Sequence, residues 1–142
     1  MKVIIKKLSG LAVIPTKATE GSAAYDLFSV EDVYIPAGET ATVGTGLGME
    51  IPRGWRGDIY SRSGMAMRGM VVANSPGKID SDYRGEVKVI LHNNHPEGIS
   101  AIKAGDKVAQ FEIVPTHDVE FEEGESLTDT ERGEGGFGST GQ

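Results

Sequence analysis

The sequence predicts an all-β domain, and two features of the chain lead to that prediction. Short runs rich in Val, Ile and aromatic residues recur about every ten residues, and Pro, Gly or Asn separates one run from the next. Gly supplies 20 of the 142 residues, about twice its usual share of roughly 7%. Even spacing of short strands is typical of a β-sandwich or barrel, and a jelly roll is among the architectures expected.

The individual strands follow from these runs, and turn-forming residues lie between them. In chain order they are Val3–Leu8, Val30–Ile35, Thr40–Val43, Leu47–Ile51, Trp55–Tyr60, Met70–Ala73, Glu86–His92, Ser100–Lys103, Lys107–Val114 and Val119–Phe121. No long amphipathic helix is indicated, but Ser61–Gly69 predicts a short one because Gly69 suits a helix end. The stretch Asn74–Gly85 predicts a β-hairpin with acidic residues on its return strand.

The negative charge of the chain is confined to its last part. The net charge is −7, and the residues from Asp118 onward carry eight acids and one base, so the preceding part is neutral overall. Neither part has the basic stripe of a nucleic-acid binder, so no nucleic-acid partner is expected. No apolar run approaches the ~20 residues of a membrane span. We therefore expect a cytoplasmic protein without a membrane partner, and the absence of Cys excludes thiol chemistry.

The segment from Gly124 to Gln142 differs in composition from the rest. Five Gly residues follow Arg132, and almost no side chain there suits a core. Two units are therefore expected, a β domain over residues 1–123 and a flexible arm over residues 124–142 that a ligand or partner orders. Arg132 and Phe137 indicate a binding role for the arm, because a frayed end needs neither.

Two partial motif matches are set aside. The segment Gly133–Gly138 has the glycine spacing of a dinucleotide-binding loop, but neither a βαβ unit nor a following helix accompanies it. Asp80 begins a pattern like a calcium loop, but Arg84 and Leu91 occupy two of its ligand positions. The chain therefore shows neither kind of site.

Four local clusters combine charged, small and turn-forming residues. They are Ala23–Leu27, Ser61–Ala66, Asn74–Gly85 and Ala109–Gln110. The second joins a guanidinium, a hydroxyl and backbone N–H groups, which suits phosphate binding. Taken singly, each cluster also has a structural explanation as a turn, a surface ion pair or a solvated hairpin. Together they offer the carboxylates, phosphate donors and aromatic side chain of metal-assisted phosphate chemistry.

The order and the residue sequences of these clusters resemble the five motifs of the trimeric dUTPase family. The matching segments are Ala24–Asp26, Arg62–Ala66, Asn74–Gly85, Gly105–Gln110 and Arg132–Gly141. They span nearly the whole chain in the family's order, and the third and fifth match most closely. Met65 stands where the family often has Leu, and Lys78 stands where a small or apolar residue is common.

The resemblance implies a jelly roll that forms a homotrimer, with each active site shared between chains and covered by a neighbour's arm. It implies Mg²⁺-dependent hydrolysis of dUTP to dUMP and pyrophosphate, which removes dUTP from the nucleotide pool and supplies dUMP for dTTP synthesis. Asp80 corresponds to the acid that activates the attacking water. Asp26 corresponds to the acid that positions the Mg²⁺–triphosphate through water.

The resemblance also implies which residues bind dUTP. Those expected at the phosphates are Arg62, Ser63, Gly64, Gln110, Arg132, Gly138, Ser139 and Thr140. Asn74 and the backbone at Gly77 and Ile79 are expected to read the uracil edge. Tyr83 is expected to pack under the deoxyribose and exclude a 2′-hydroxyl, and Phe137 is expected to cover the uracil ring.

Three alternatives stay open at this point. A dCTP deaminase shares the fold and part of the hairpin motif, although Ser61–Gly64 has the hydrolase form. A nucleotide-gated binding or signalling protein on the same scaffold is possible, and ligand-dependent capture of a partner would reveal it. A purely structural β module leaves Arg132 and Phe137 without a purpose.

Overall fold

A computed structural model describes residues 1–137, and within them it contains ten strands and one short helix. The strands are β1 (Ile4–Lys7), β2 (Tyr25–Phe28), β3 (Val33–Pro36), β4 (Thr40–Glu50), β5 (Trp55–Tyr60), β6 (Met70–Val72), β7 (Gly77–Ile79), β8 (Glu86–Asn93), β9 (Ile99–Ile102) and β10 (Lys107–Pro115). The helix α1 spans Ser63–Ala66. In the described part of the chain, no helix has the length and apolar character needed to cross a membrane.

The strands form two four-stranded antiparallel sheets and one two-stranded ribbon. The first sheet has the order β1-β4-β8-β6, the second has the order β2-β10-β5-β7, and β3 pairs with β9. Strands from distant parts of the chain lie side by side, as in a jelly roll, so the predicted fold class is confirmed. Four of the candidate site residues lie on strands of the second sheet, namely Asp26, Gly77, Ile79 and Gln110.

One apolar core lies between the two four-stranded sheets. The first sheet contributes alternate residues of β8, Val87, Val89 and Leu91, and the second contributes Ile59 and Phe111, all of them buried. Each buried side chain of this size stabilises the fold by about 1.5–3 kcal/mol. The outer face of the second sheet is therefore free to carry polar residues.

Strand β4 is longer than the sequence predicts. The pattern predicts two strands interrupted near Gly44, whereas one strand continues from Thr40 to Glu50 through a bulge in its pairing with β8. The Glu31 carboxylate accepts a hydrogen bond from Gly44 N at 2.7 Å, and the Glu86 carboxylate accepts one from Gly46 N at 2.9 Å. These bonds satisfy the amides at the irregularity, so the strand does not end there.

Two further predictions require correction, and one strand was not predicted. Val119–Phe121 is not a strand, because it pairs with no other described segment and Phe121 is 93% exposed. The Asn74–Gly85 hairpin prediction is wrong, since β7 pairs with β5 and the chain then turns into β8 of the other sheet. The acidic residues thus lie in a turn between sheets. Strand β2 was hidden from the pattern because Asp26 interrupts its apolar run.

Candidate active site

Buried Asp26 lies on β2 at the centre of a polar group, which we call the Asp26 group (Asp26, Arg62, Lys107 and Gln110). The Asp26 residue is 5% exposed. Its carboxylate accepts Arg62 Nε at 3.2 Å on one oxygen and Lys107 Nζ at 2.8 Å on the other. Gln110 lies directly opposite Asp26 in the β2–β10 pairing. The resemblance named Asp26, Arg62 and Gln110 as candidate site residues. Lys107, the second cation beside Asp26, was not predicted.

The Asp26 group opens into a cleft of about 270 Å³ that Asp26, Arg62 and Gln110 all line. Helix α1 begins immediately after Arg62, which confirms the short helix predicted there. Buried Met65 anchors α1 in the core, and the Ser61 hydroxyl accepts Val72 N at 2.8 Å. Ser63 and Gly64 are exposed at the start of the helix. This local structure fixes Arg62 beside Asp26 and leaves the two small residues accessible.

Asp80 lies elsewhere, in the turn that follows β7. Tyr83 N donates to Asp80 O at 3.2 Å, and the Arg84 guanidinium donates to Ser81 O at 2.7 Å. Asp80 is exposed and lines a second cleft of about 630 Å³ together with Arg53, Arg56, Ser81, Asp82 and Arg84. The Asp80 carboxylate belongs to none of the ion pairs found among residues 1–137. It is therefore accessible to water and to a ligand.

The side chains of Asn74 and Tyr83, on either side of Asp80 in the sequence, each pack closely against a glycine. The Asn74 side chain lies over buried Gly77, where a Cβ would meet Asn74 Nδ2 at 3.1 Å. The Tyr83 ring lies over Gly85, where a Cβ would meet Tyr83 Cζ at 2.6 Å. The Tyr83 hydroxyl donates to Glu86 O at 3.0 Å. Asn74, Gly77, Ile79, Asp80 and Tyr83 thus lie on one continuous segment.

The Asp26 group and Asp80 are far apart within one chain. β2 and β7 are the two edges of the second sheet, three strand spacings apart, or about 14 Å. Asp26 pairs with Gln110 of β10, and Gln110 pairs with Tyr60 of β5. On the other side of β5, Ile79 of β7 pairs with Gly57, three residues before Tyr60. Asp80 is therefore offset along the strands by about four residues, or about 13 Å. Combining both displacements separates the two acids by about 19 Å, far beyond the ~3 Å of a hydrogen bond.

A second buried acid, which the sequence did not reveal, lies beside the Asp80 cleft on β5. Asp58 accepts Arg56 Nε at 2.9 Å and Arg56 Nη2 at 3.2 Å, Lys78 Nζ at 2.9 Å, and the Tyr60 hydroxyl at 3.3 Å. Burial raises the pKa of Asp58, but the hydrogen bonds from Arg56 and Lys78 lower this pKa by more, so the net direction is downward. We call these four residues the Asp58 cluster.

The last described residues carry two of the predicted ligands. Arg132 is exposed, and its Nε donates to Gly135 O at 2.8 Å within a local turn. Phe137 is exposed and has a positive φ of 51°. Gly138, Ser139 and Thr140 lie outside the described residues. Arg132 and Phe137 therefore have no packing role in the core of the β domain.

Comparison with known proteins places this chain among relatives over its whole length. The family model described as dUTPase matches residues 11–141. The deoxyuridine 5'-triphosphate nucleotidohydrolase of Nautilia profundicola is 50% identical, and the alignment covers 100% of both chains. The protein of the same description from Wolinella succinogenes is 47% identical, with 100% of this chain and 95% of the relative covered.

Solved structures agree with the sequence relatives. The dUTPase of Staphylococcus bacteriophage 80alpha, solved with dUPNHPP, has a TM-score of 0.91 and 31% identity, with 99% of both chains covered. A point mutant of the dUTPase of phage phi11 of S. aureus, whose structure concerns coordination of a structural Mg(II) ion, has a TM-score of 0.81 and 28% identity. That match covers 89% of this chain and 99% of the phage chain.

These findings favour one of the functional interpretations that the sequence left open. The relatives are nucleotidohydrolases and not deaminases or structural modules. A nucleotide-gated binding role stays a hypothesis. The family model covers more than nine-tenths of the residues, and the first four motifs lie in an antiparallel jelly roll as the resemblance implied. The chain therefore belongs to the dUTPase family.

Proposed function

We propose that this chain hydrolyses dUTP to dUMP and pyrophosphate in a Mg²⁺-dependent reaction, at active sites that lie between the chains of a homotrimer. Hydrolysis of dUTP itself follows from membership of the family. The observation that carries the shared site is the separation of about 19 Å between Asp26 and Asp80 within one chain, worked from the sheet order. Both acids act on one triphosphate only if two chains contribute them.

Asp80 is the proposed general base. Its carboxylate is exposed, outside the ion pairs of the described residues, and held in a hydrogen-bonded turn. A carboxylate in that state accepts a proton from water as the water attacks the α-phosphorus, and pyrophosphate leaves in line. The hydrogen bonds of the turn fix the backbone at Asp80.

The residues fit a magnesium ion that enters with the nucleotide. Among residues 1–137, no group of three or more acidic or histidine side chains could hold a metal by itself. Mg²⁺ is commonly held by one or two carboxylates, water and substrate phosphates, and Asp26 supplies a carboxylate inside the cleft that Arg62 and Gln110 line. When bound, the ion neutralises charge that develops on the phosphates. Asp26 positions the metal-bound triphosphate through water.

The phosphates are bound by Arg62, Ser63, Gly64 and Gln110 in this proposal. The fixed guanidinium beside Asp26 and the exposed small residues at the start of α1 support this assignment. Removal of Arg62 would also leave Asp26 with one cation instead of two. Its loss would therefore affect both the binding of phosphate and the environment of Asp26.

Uracil and deoxyribose are recognised from the Asp80 turn. Asn74 and the backbone at Gly77 and Ile79 read the uracil edge, and a wrong base leaves buried polar groups unpaired. Tyr83 packs under the deoxyribose and excludes a 2′-hydroxyl. The close packing of its ring over Gly85 supports this role, because it restricts movement of the ring.

The arm from residue 124 onward covers the site of a neighbouring chain. Arg132 binds the γ-phosphate, Phe137 covers the uracil, and Gly138, Ser139 and Thr140 contact phosphates. The exposure of Arg132 and Phe137 in the single chain supports this, because both are available to a ligand. Deletion of residues 133–142 should lower dUTP turnover strongly, and unchanged turnover would rule out the covering role.

The test of the whole proposal is pyrophosphate release from dUTP, dTTP, dCTP and UTP, with Mg²⁺ and with a chelator. Rapid release from dUTP alone, dependent on Mg²⁺, is expected. Asp80→Asn should lower kcat by the ~10²–10⁴ that a general base contributes. Asp82→Asn is the matched control, since it removes the same charge from the same cleft. Equal activity of the two variants would refute the role of Asp80.

A further inference from the structure

The Asp58 cluster lies on the outer face of the second sheet. Strand alternation sends Ile59 into the core and Asp58 outward, and Lys78 on β7 is the direct cross-strand partner of Asp58. The Asp58 side chain is 3% exposed, whereas that of Lys78 is 48% exposed. One buried carboxylate therefore holds two cations, Arg56 and Lys78, and the three charges sum to a single positive charge.

Both cations of the cluster are neighbours of Asp80. Lys78 precedes Asp80 by two residues, so their Cα atoms lie at most about 7 Å apart. The β5–β7 pairing ends with Gly57 opposite Ile79, and Arg56 and Asp80 are the residues next to that last pair. Arg56 and Asp80 also line the same cleft. Each cation is within reach of Asp80 if Asp58 releases it.

We propose that Asp58 is a positioning residue that holds Arg56 and Lys78 away from Asp80. Ion pairing with either cation would occupy the carboxylate oxygens that must accept a proton from water. Asp58 competes for both cations with a buried bidentate contact to Arg56 and a 2.9 Å contact to Lys78. The inference rests on the proposed role of Asp80.

Asp58→Asn tests the inference because it keeps the shape of the side chain and removes its charge. We expect kcat for dUTP to fall about tenfold or more, within the range of general-base effects, with a change in KM below about twofold. Lys78→Met alone should stay within about twofold of the wild-type kcat. Lys78→Met added to Asp58→Asn should recover at least about threefold, and Arg56→Gln added to Asp58→Asn should also recover activity.

A merely structural role would give a different result. In that case kcat of the folded fraction of Asp58→Asn would stay unchanged, or it would fall and not recover in either double variant, whatever the effect on the thermal unfolding temperature. Either outcome overturns the proposal.

A crystal structure of Asp58→Asn separates this inference from the proposed function. We expect Lys78 Nζ or an Arg56 nitrogen within about 4 Å of an Asp80 carboxylate oxygen. If both cations stay away from Asp80, the inference is wrong even if Asp80 is the base. If a cation moves to Asp80 and Asp80→Asn nevertheless retains full turnover, then the proposed base is wrong and the positioning role falls with it.

Discussion

Pairs of inactive chains should restore activity if each active site draws Asp26 from one chain and Asp80 from another. Asp26→Asn removes the carboxylate of the Asp26 group, and Asp80→Asn removes the proposed base. Each variant alone should form inactive trimers. The two variants are co-expressed with different affinity tags, and purification on both tags in turn yields only mixed trimers.

The expected recovery follows from the geometry of the sheet. Asp26 and Asp80 lie on opposite edges of the second sheet, about 19 Å apart, so the proposed site pairs the Asp26 of one chain with the Asp80 of the next. In a closed threefold ring of both variants, each mixed arrangement contains one junction between an intact Asp26 and an intact Asp80. Mixed trimers should therefore show about a third of wild-type kcat per trimer.

Pyrophosphate release from dUTP measures the recovery, and thermal unfolding checks that each variant is folded. Because Asp26→Asn leaves two half-buried cations without their carboxylate, Arg62→Gln serves as a second variant of the same group. If both acids acted within one chain, no chain in the mixed trimers would carry an intact site. Activity no higher than that of the separate variants would therefore refute the shared site.

Three further outcomes are expected from single contacts. Gly57→Ala should lower the free energy of unfolding by about 1–3 kcal/mol, because a Cβ there would lie 2.6 Å from Phe111 Cζ in the core; an unchanged urea midpoint would contradict this. Asp58 has a pKa held below its ordinary value of 3.8, so it stabilises the fold above that value and this contribution is lost as pH falls through the lowered pKa. Asp58→Asn should therefore flatten the decline of Tm below about pH 4, and parallel curves would argue against it. Gly85→Ala should displace the Tyr83 ring and reduce the preference for dUTP over UTP about tenfold in kcat/KM, and an unchanged ratio would show that Tyr83 does not select the sugar.

The sequence predicts most of the strands because turn residues mark their ends. β5 was predicted with the bounds that the structure has, Trp55–Tyr60. Errors arose where the local pattern lacks the deciding contact. The amides near Gly44 are satisfied by two distant glutamates, and Val119–Phe121 alternates like a strand but has no neighbouring edge among the described residues. Pairing partners are properties of the fold, and a single window of sequence does not contain them.

The site residues were predicted through family motifs and not through spacing. Motif order does not reveal that Asp26 and Asp80 lie at opposite edges of one sheet, since that follows from strand order. The Asp58 cluster was missed for a related reason. Asp58 and Lys78 are twenty residues apart, and only the register of β5 with β7 makes them partners. Interactions that depend on register stay hidden until the sheet is known.

Glu86 connects the bulge in β4 with the turn that carries Tyr83. Glu86 binds the amide of Gly46 through its carboxylate and the Tyr83 hydroxyl through its carbonyl. Local opening of the bulge would therefore release Glu86 and disturb the support of Tyr83 at the same time. We therefore expect fluctuations of the bulge and of the turn that carries Tyr83 to be coupled through Glu86. If Tyr83 selects the sugar as proposed, a substitution that loosens the bulge should change substrate selection without contacting the nucleotide.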